Sequence, residues 1–198
     1  YESLWLDELH SAWIVADNIS NVYQRSIIGH QSPCYYFQLW AWQQAVSGSE
    51  LMLRLNSVLL VAGGCSVLAF GITKWTQSSL AGLVAGLLLA IENNSLFFGT
   101  ELRPFALVIL CSSVSTVVFL RLLSSESRHQ YSKNWCLLIN TILLSAICQP
   151  TSLGVLAWLP LCLCGVWFYK NPKQFRRFTW LDVALISIAM LTLFTLWQ

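Results

Sequence analysis

Charge is what this chain has least of. Asp, Glu, Lys and Arg make up 10% of its 198 residues, against about 25% in ordinary soluble domains. The charges fall in a few clusters, with long uncharged runs between Arg54 and Lys74, from Trp75 to Ile91, from Pro104 to Leu120 and from Asn134 to Tyr169. A chain of this kind cannot clothe a soluble surface; it reads as an all-α, polytopic integral membrane protein. The net charge of +2, with no Lys/Arg stripe interleaved with aromatics, excludes a nucleic-acid partner.

Other absences narrow the reading further. Nothing repeats and nothing is low in complexity. The seven cysteines are an odd number, and six lie inside apolar runs, where a thiol behaves as a small hydrophobe. Only Cys34 sits in a polar segment, and neither a disulfide framework nor a zinc pattern follows. There is no start Met and no signal peptide, so the expectation is a piece of a longer protein, with an upstream span ahead of Tyr1 and a further part after Gln198.

The uncharged runs set the organisation: a loop over 1–55, then a bundle over 56–198 with about six spans, near 56–73, 76–97, 104–123, 135–149, 152–169 and 180–197. The run from Asn134 to Tyr169 would be about 54 Å long as one helix, so it must fold back, and Gln149-Pro150-Thr151-Ser152 is the natural turn. Gly63, Gly64, Gly82 and Gly86 would let helices approach closely, Gly82 and Gly86 at small-xxx-small spacing. Pro104 stands where a helix tolerates it, at the first turn.

Orientation follows from the basic residues. With the 1–55 loop outside, the cytoplasmic connections hold eight of the eleven Lys and Arg residues, leaving Arg25, Arg54 and Arg103 on the opposite side. The turn from Lys170 to Arg177 is then a topological anchor. Residues 1–55 and 92–103 face the periplasm or a lumen, in a bacterial inner membrane or in the endoplasmic reticulum of a eukaryote.

Within the loop, Leu6, Leu9, Trp13 and Ala16 recur at helical spacing, predicting a helix in the interface plane. Gly29 to Pro33 reads as a turn, Tyr35 to Trp42 as an aromatic belt at headgroup level, and Ser47-Gly48-Ser49 as a helix start. Asn18-Ile19-Ser20 and Asn93-Asn94-Ser95 match a glycosylation sequon without further context. Against this apolar background stand adjacent acids, Asp7 and Glu8, either the solvated face of the helix or a working pair.

The outer side thus gathers Trp5-Leu6-Asp7-Glu8 and Glu101-Leu102-Arg103-Pro104-Phe105-Ala106-Leu107. With Ser32-Pro33, Tyr35-Tyr36, Leu39-Trp40-Ala41-Trp42 and Leu53-Arg54-Leu55-Asn56-Ser57 between them, the order resembles the multi-span GT-C glycosyltransferases. Within these it is most similar to the protein-mannosyltransferase and aminoarabinose-transferase branch, over about Ser3 to Leu120. The resemblance implies sugar transfer from a polyprenyl-phosphate donor to a hydroxyl of a protein or glycolipid acceptor at the membrane. It makes Asp7 the general base and Glu8 its helper. Arg54 and Arg103 are the candidates for the donor phosphate, because a guanidinium fork suits its oxygens; anchoring, or a pair with Glu101, are the alternatives. Glu101 and His10 are supporting residues. No cofactor is implied beyond a possible divalent metal, for which Asp7, Glu8 and His10 are the candidate ligands. The competing classes are a transporter using the outer acids for ion or proton coupling, and an accessory or scaffold subunit. Acids clustered at one face, rather than at the bilayer midplane, favour the enzyme.

Overall fold

A computed structural model describes residues 4–46, 48–124 and 128–170, and every regular element among them is helical. The chain divides into two units, one running to Ala157 and the other beginning at Trp158.

The first unit opens with a layer of three short helices, α1 (Leu6–Val15), α2 (Ile19–Ile28) and α3 (Pro33–Ala45). Their ends are set by local chemistry. Asn18 Oδ1 accepts the Asn21 amide at 3.0 Å and starts α2, so this sequon asparagine serves as a cap. His30, in the left-handed region at φ 53°, closes α2, and Pro33 supplies a fixed φ for the first turn of α3. Arg25 ties α1 to α2: it pairs with Asp17, donates to the Trp13 carbonyl and lies 4.6 Å over the Trp13 ring.

Two helices are long and apolar enough to cross a membrane: α4 (Glu50–Thr76) and α7 (Phe105–Leu123). The helix start expected near Ser49 is there, and α4 therefore begins inside the stretch read as loop. Between them lie α5 (Ser79–Ile91) and α6 (Asn93–Thr100), a bent pair covering the stretch where one span was expected over 76–97 and apolar enough together to be one. They are bent by 61° at Glu92, whose extended backbone ends α5 while its side chain accepts the Ser95 amide at 2.9 Å and caps α6. Helix α8 (Arg128–Cys148) starts well before the predicted 135; its first two turns are polar and lie outside the uncharged run that set the expectation. The predicted turn at 149–152 is a 3₁₀ turn over Pro150–Ser152, followed by the short α9 (Leu153–Leu156). The second unit contributes α10 (Trp158–Lys170), which carries Pro160 in its first turn. Over most of the predicted 152–169 span, Pro150–Val166 forms an apolar helical stretch, and the span predicted over 180–197 lies outside the described residues.

Packing inverts the ordinary pattern. Helix α5 buries only Gly82 and Gly86, while Leu80, Leu83, Leu87, Leu88 and Ile91 face outward. Glycines let α5 lie on α4 near Ala69 and Thr73, and leucines turned outward suit hydrocarbon rather than water. On its other side α4 packs against α7, with Gly71 accommodating Val117, and α7 packs against α8. The N-terminal layer has its own core, where Ile14, Val15, Val22, Tyr35, Tyr36 and Leu39 meet Leu53, Leu102 and Leu107. Tyr35 and Tyr36, expected in a belt at the headgroups, are buried here instead, and so hold the layer to α4 and α7.

Candidate functional site

In α1 the two acids point in different directions. Glu8 lies on the face shared with Ser11 and Val15, which packs inward, and is 1% exposed. Its carboxylate accepts four hydrogen bonds: from the Trp5 amide at 3.1 Å, from Arg54 Nε at 3.2 Å and Nη2 at 2.8 Å, and from the Leu102 amide at 3.3 Å. Burial pushes this carboxyl up, but the Arg54 guanidinium and the two amides together outweigh it and hold Glu8 below its ordinary value. Arg54 also reaches Glu50 one turn earlier at 3.2 Å. Glu8 is thereby fixed as an anion with its lone pairs occupied.

Asp7 faces the other way. Its side chain is 65% exposed and pairs with Arg103 Nη2, while Arg103 Nε lies 2.9 Å from Glu101 Oε2. Glu101 is mostly buried, and that burial raises its carboxyl, with Arg103 offsetting only part and the charges of Glu8 and Asp7 adding to the rise. Five predicted residues, Asp7, Glu8, Arg54, Glu101 and Arg103, therefore meet at the start of α4 and the corner between α6 and α7. The pairing of Arg103 with Glu101, weighed above as an alternative, is present alongside its contact with Asp7.

The corner is gripped through its backbone. Ser11 Oγ donates to the Leu102 carbonyl at 2.7 Å and Ser57 Oγ to the Glu101 carbonyl at 2.6 Å. Tyr36 lies beside Ser11, Arg103 and Asp7, and burial raises its hydroxyl, so it stays a neutral phenol. Tyr36 and Ser57 entered the sequence reading only inside longer motifs, with no role of their own, and Ser11 did not enter it. Ser11 had a signal, standing three residues after Glu8 on one helix face; Tyr36 and Ser57 are neighbours only through the fold.

His10 is set apart from the cluster. Its ring stacks on Trp13 at 5.6 Å and closes over Gly29, where a Cβ would stand 2.4 Å from Nε2. Glu8 turns inward, away from Asp7 and His10, and among the described residues no three His, Cys, Asp or Glu side chains form a metal-binding group. The three candidate ligands do not fit a shared ion. Asp7 and His10 instead edge an open groove of about 670 Å³ with Leu6, Leu9, Trp13, Gly29 and Gln31. Glu92, at the α5–α6 break, is used as a helix cap.

Compared with family models, with curated proteins and with solved structures, the chain finds no match.

Proposed function

We propose that this chain is the membrane part of a GT-C-like glycosyltransferase, multi-pass, that moves a sugar from a polyprenyl phosphate to an acceptor hydroxyl on the non-cytoplasmic side. The observation that carries the reading is the division of labour between neighbouring acids. Glu8 is locked by Arg54 and the Leu102 amide, while Asp7, next to it, opens onto an apolar groove with a guanidinium alongside.

In this mechanism Asp7 takes the proton from the acceptor hydroxyl as its oxygen attacks the anomeric carbon. The bond from that carbon to the phosphate oxygen breaks, the polyprenyl phosphate leaves with the electron pair, and the anomeric configuration inverts. Phosphate is already a good leaving group, so no separate acid is needed. Arg103 exchanges Asp7 for the leaving phosphate, which frees the base as negative charge develops next to the guanidinium. Glu8 is a positioning residue: with Arg54 it fixes the first turn of α1, and so the place of Asp7. Glu101 holds the far side of the Arg103 fork.

The test is Asp7→Asn in the full-length protein in membranes, assayed with polyprenyl-phosphate sugars and candidate acceptors. Transfer should fall by about 10²- to 10⁴-fold, the usual contribution of a positioned base, while insertion is unchanged. Undiminished transfer overturns the role of Asp7. One observation favours a second reading, ion-coupled transport: the helix broken at Glu92, a form that transporters use for ion sites. Proteoliposomes that carry out ion-coupled uptake, lost in Glu92→Gln, with no sugar transfer by the wild type, would establish it.

A further inference from the structure

Cys34 is the cysteine that the sequence leaves without an apolar run to explain it. It occupies the second position of α3, half-buried, and packs against the core that also holds Cys111 and Cys148. Cys148 is the last residue of α8, buried at 2% exposure. Helices α3 and α8 touch, both cysteines pack in one core, and the two thiols lie near enough to perturb each other, although 114 residues separate them in sequence. Both cysteines are free.

The distribution of Lys and Arg places the N-terminal layer, and with it the end of α8, on the non-cytoplasmic side, where thiols meet an oxidising environment. We propose that Cys34 and Cys148 form a redox-active pair, converted to a disulfide by a disulfide-bearing oxidant of the extracytoplasmic compartment, which ties α3 to the end of α8.

The two cysteines have different parts in the exchange. The neighbouring Cys148 thiol holds the Cys34 thiol below its ordinary value, against the effect of burial, so the more accessible sulfur is also the readier nucleophile. Cys34 thiolate attacks one sulfur of the oxidant, breaking its S–S bond and releasing the first thiolate. Cys148 then gives up its proton and attacks the Cys34 sulfur of the mixed disulfide, releasing the second. One protein S–S bond forms, two cysteines lose their protons, and the oxidant gains two electrons as two thiols. Cys111, buried in α7, is the bystander. The proposal is independent of sugar transfer and stands or falls without it.

The decisive experiment treats the full-length protein in native membranes with glutathione disulfide, blocks remaining thiols with N-ethylmaleimide, and maps peptides by mass spectrometry. A Cys34–Cys148 cross-linked peptide is expected, absent after dithiothreitol, with Cys111 alkylated in denaturant in either state. Cys34→Ser should leave Cys148 as a free thiol, and Cys148→Ala should stop at the mixed disulfide, with Cys34 carrying glutathione. Because the wild-type map decides the matter, a variant that fails to fold does not obscure it. Alkylation of both Cys34 and Cys148 after oxidation, or a Cys34–Cys111 peptide instead, overturns the proposal.

Discussion

Asp7 and Glu8 are adjacent in the chain and opposite in circumstance, because successive helix positions are about 100° apart around the axis. Position 8 falls on the inward face with Ser11 and Val15, so its carboxylate must be satisfied by protein, and four donors do so. Removing one partner of such a buried pair strands the other. Glu8→Gln should destabilise the protein at neutral pH by about 3–5 kcal/mol, measured by thermal or denaturant unfolding in detergent. The sign of its pH dependence follows from the lowered carboxyl. Its contribution is complete above the ordinary value of 4.5 and is lost as pH falls through the lower folded value. Wild type should therefore lose stability on acidification more steeply than Glu8→Gln, and the two should converge at low pH. Glu101, raised by burial, acts in the opposite sense: it opposes folding when ionised and is relieved as pH falls through its raised folded value. In Glu101→Gln, acid unfolding should accordingly be steeper than in wild type.

At the scale of helices, the close crossing of α4 and α5 rests on an absent side chain. A Cβ at Gly82 would stand 1.8 Å from Thr73 Oγ1 and 2.4 Å from the Ala69 carbonyl oxygen, and backbone cannot yield as a flexible side chain can. Gly82→Val should separate the pair at a cost of about 1–3 kcal/mol or more. At Gly63 the nearest atom is Leu110 Cδ1 at 3.6 Å, so Gly63→Ala should be close to neutral in the same melting measurement. The small-xxx-small spacing made the Gly82–Gly86 contact legible in advance, and the long uncharged runs did the same for α4 and α7. The break at Glu92 was not legible. Hydropathy sees a polar residue at the end of a span in the same way whether the chain leaves the bilayer or turns within it. The structure shows the break itself, a 61° bend at which Glu92 caps the next helix through the Ser95 amide. The early start of α8 escaped for a related reason: a helix needs satisfied backbone, not apolar side chains, so its polar first turns carried no hydrophobic signal.

Over the whole molecule, the site joins segments nearly a hundred residues apart, and its charged members could be named from the sequence because acids and arginines are rare in so apolar a chain. The roles of its uncharged supports were not legible: Ser11 and Ser57 act by touching a backbone that only the fold brings near, and Tyr36, though part of a quoted motif, gave no sign that it would lie beside Ser11 and Arg103. The arrangement requires the ends of α4 to lie on opposite sides of the bilayer. Cysteines introduced one at a time at Gly48 and Ser78 should report this: in intact cells a membrane-impermeant maleimide should label position 48, and label position 78 only after permeabilisation. The reverse pattern would overturn the orientation expected from Lys and Arg.

Helix α1 turns Leu6, Leu9 and Trp13 outward and keeps its carboxylate Glu8 inside. On the function proposed above, a surface of that kind would be wetted by lipid, and the groove beside Asp7 would open sideways to the membrane. A lipid-borne substrate would arrive by two-dimensional diffusion, and the occupancy it reaches would follow its mole fraction among neighbouring lipids rather than its amount per volume of suspension.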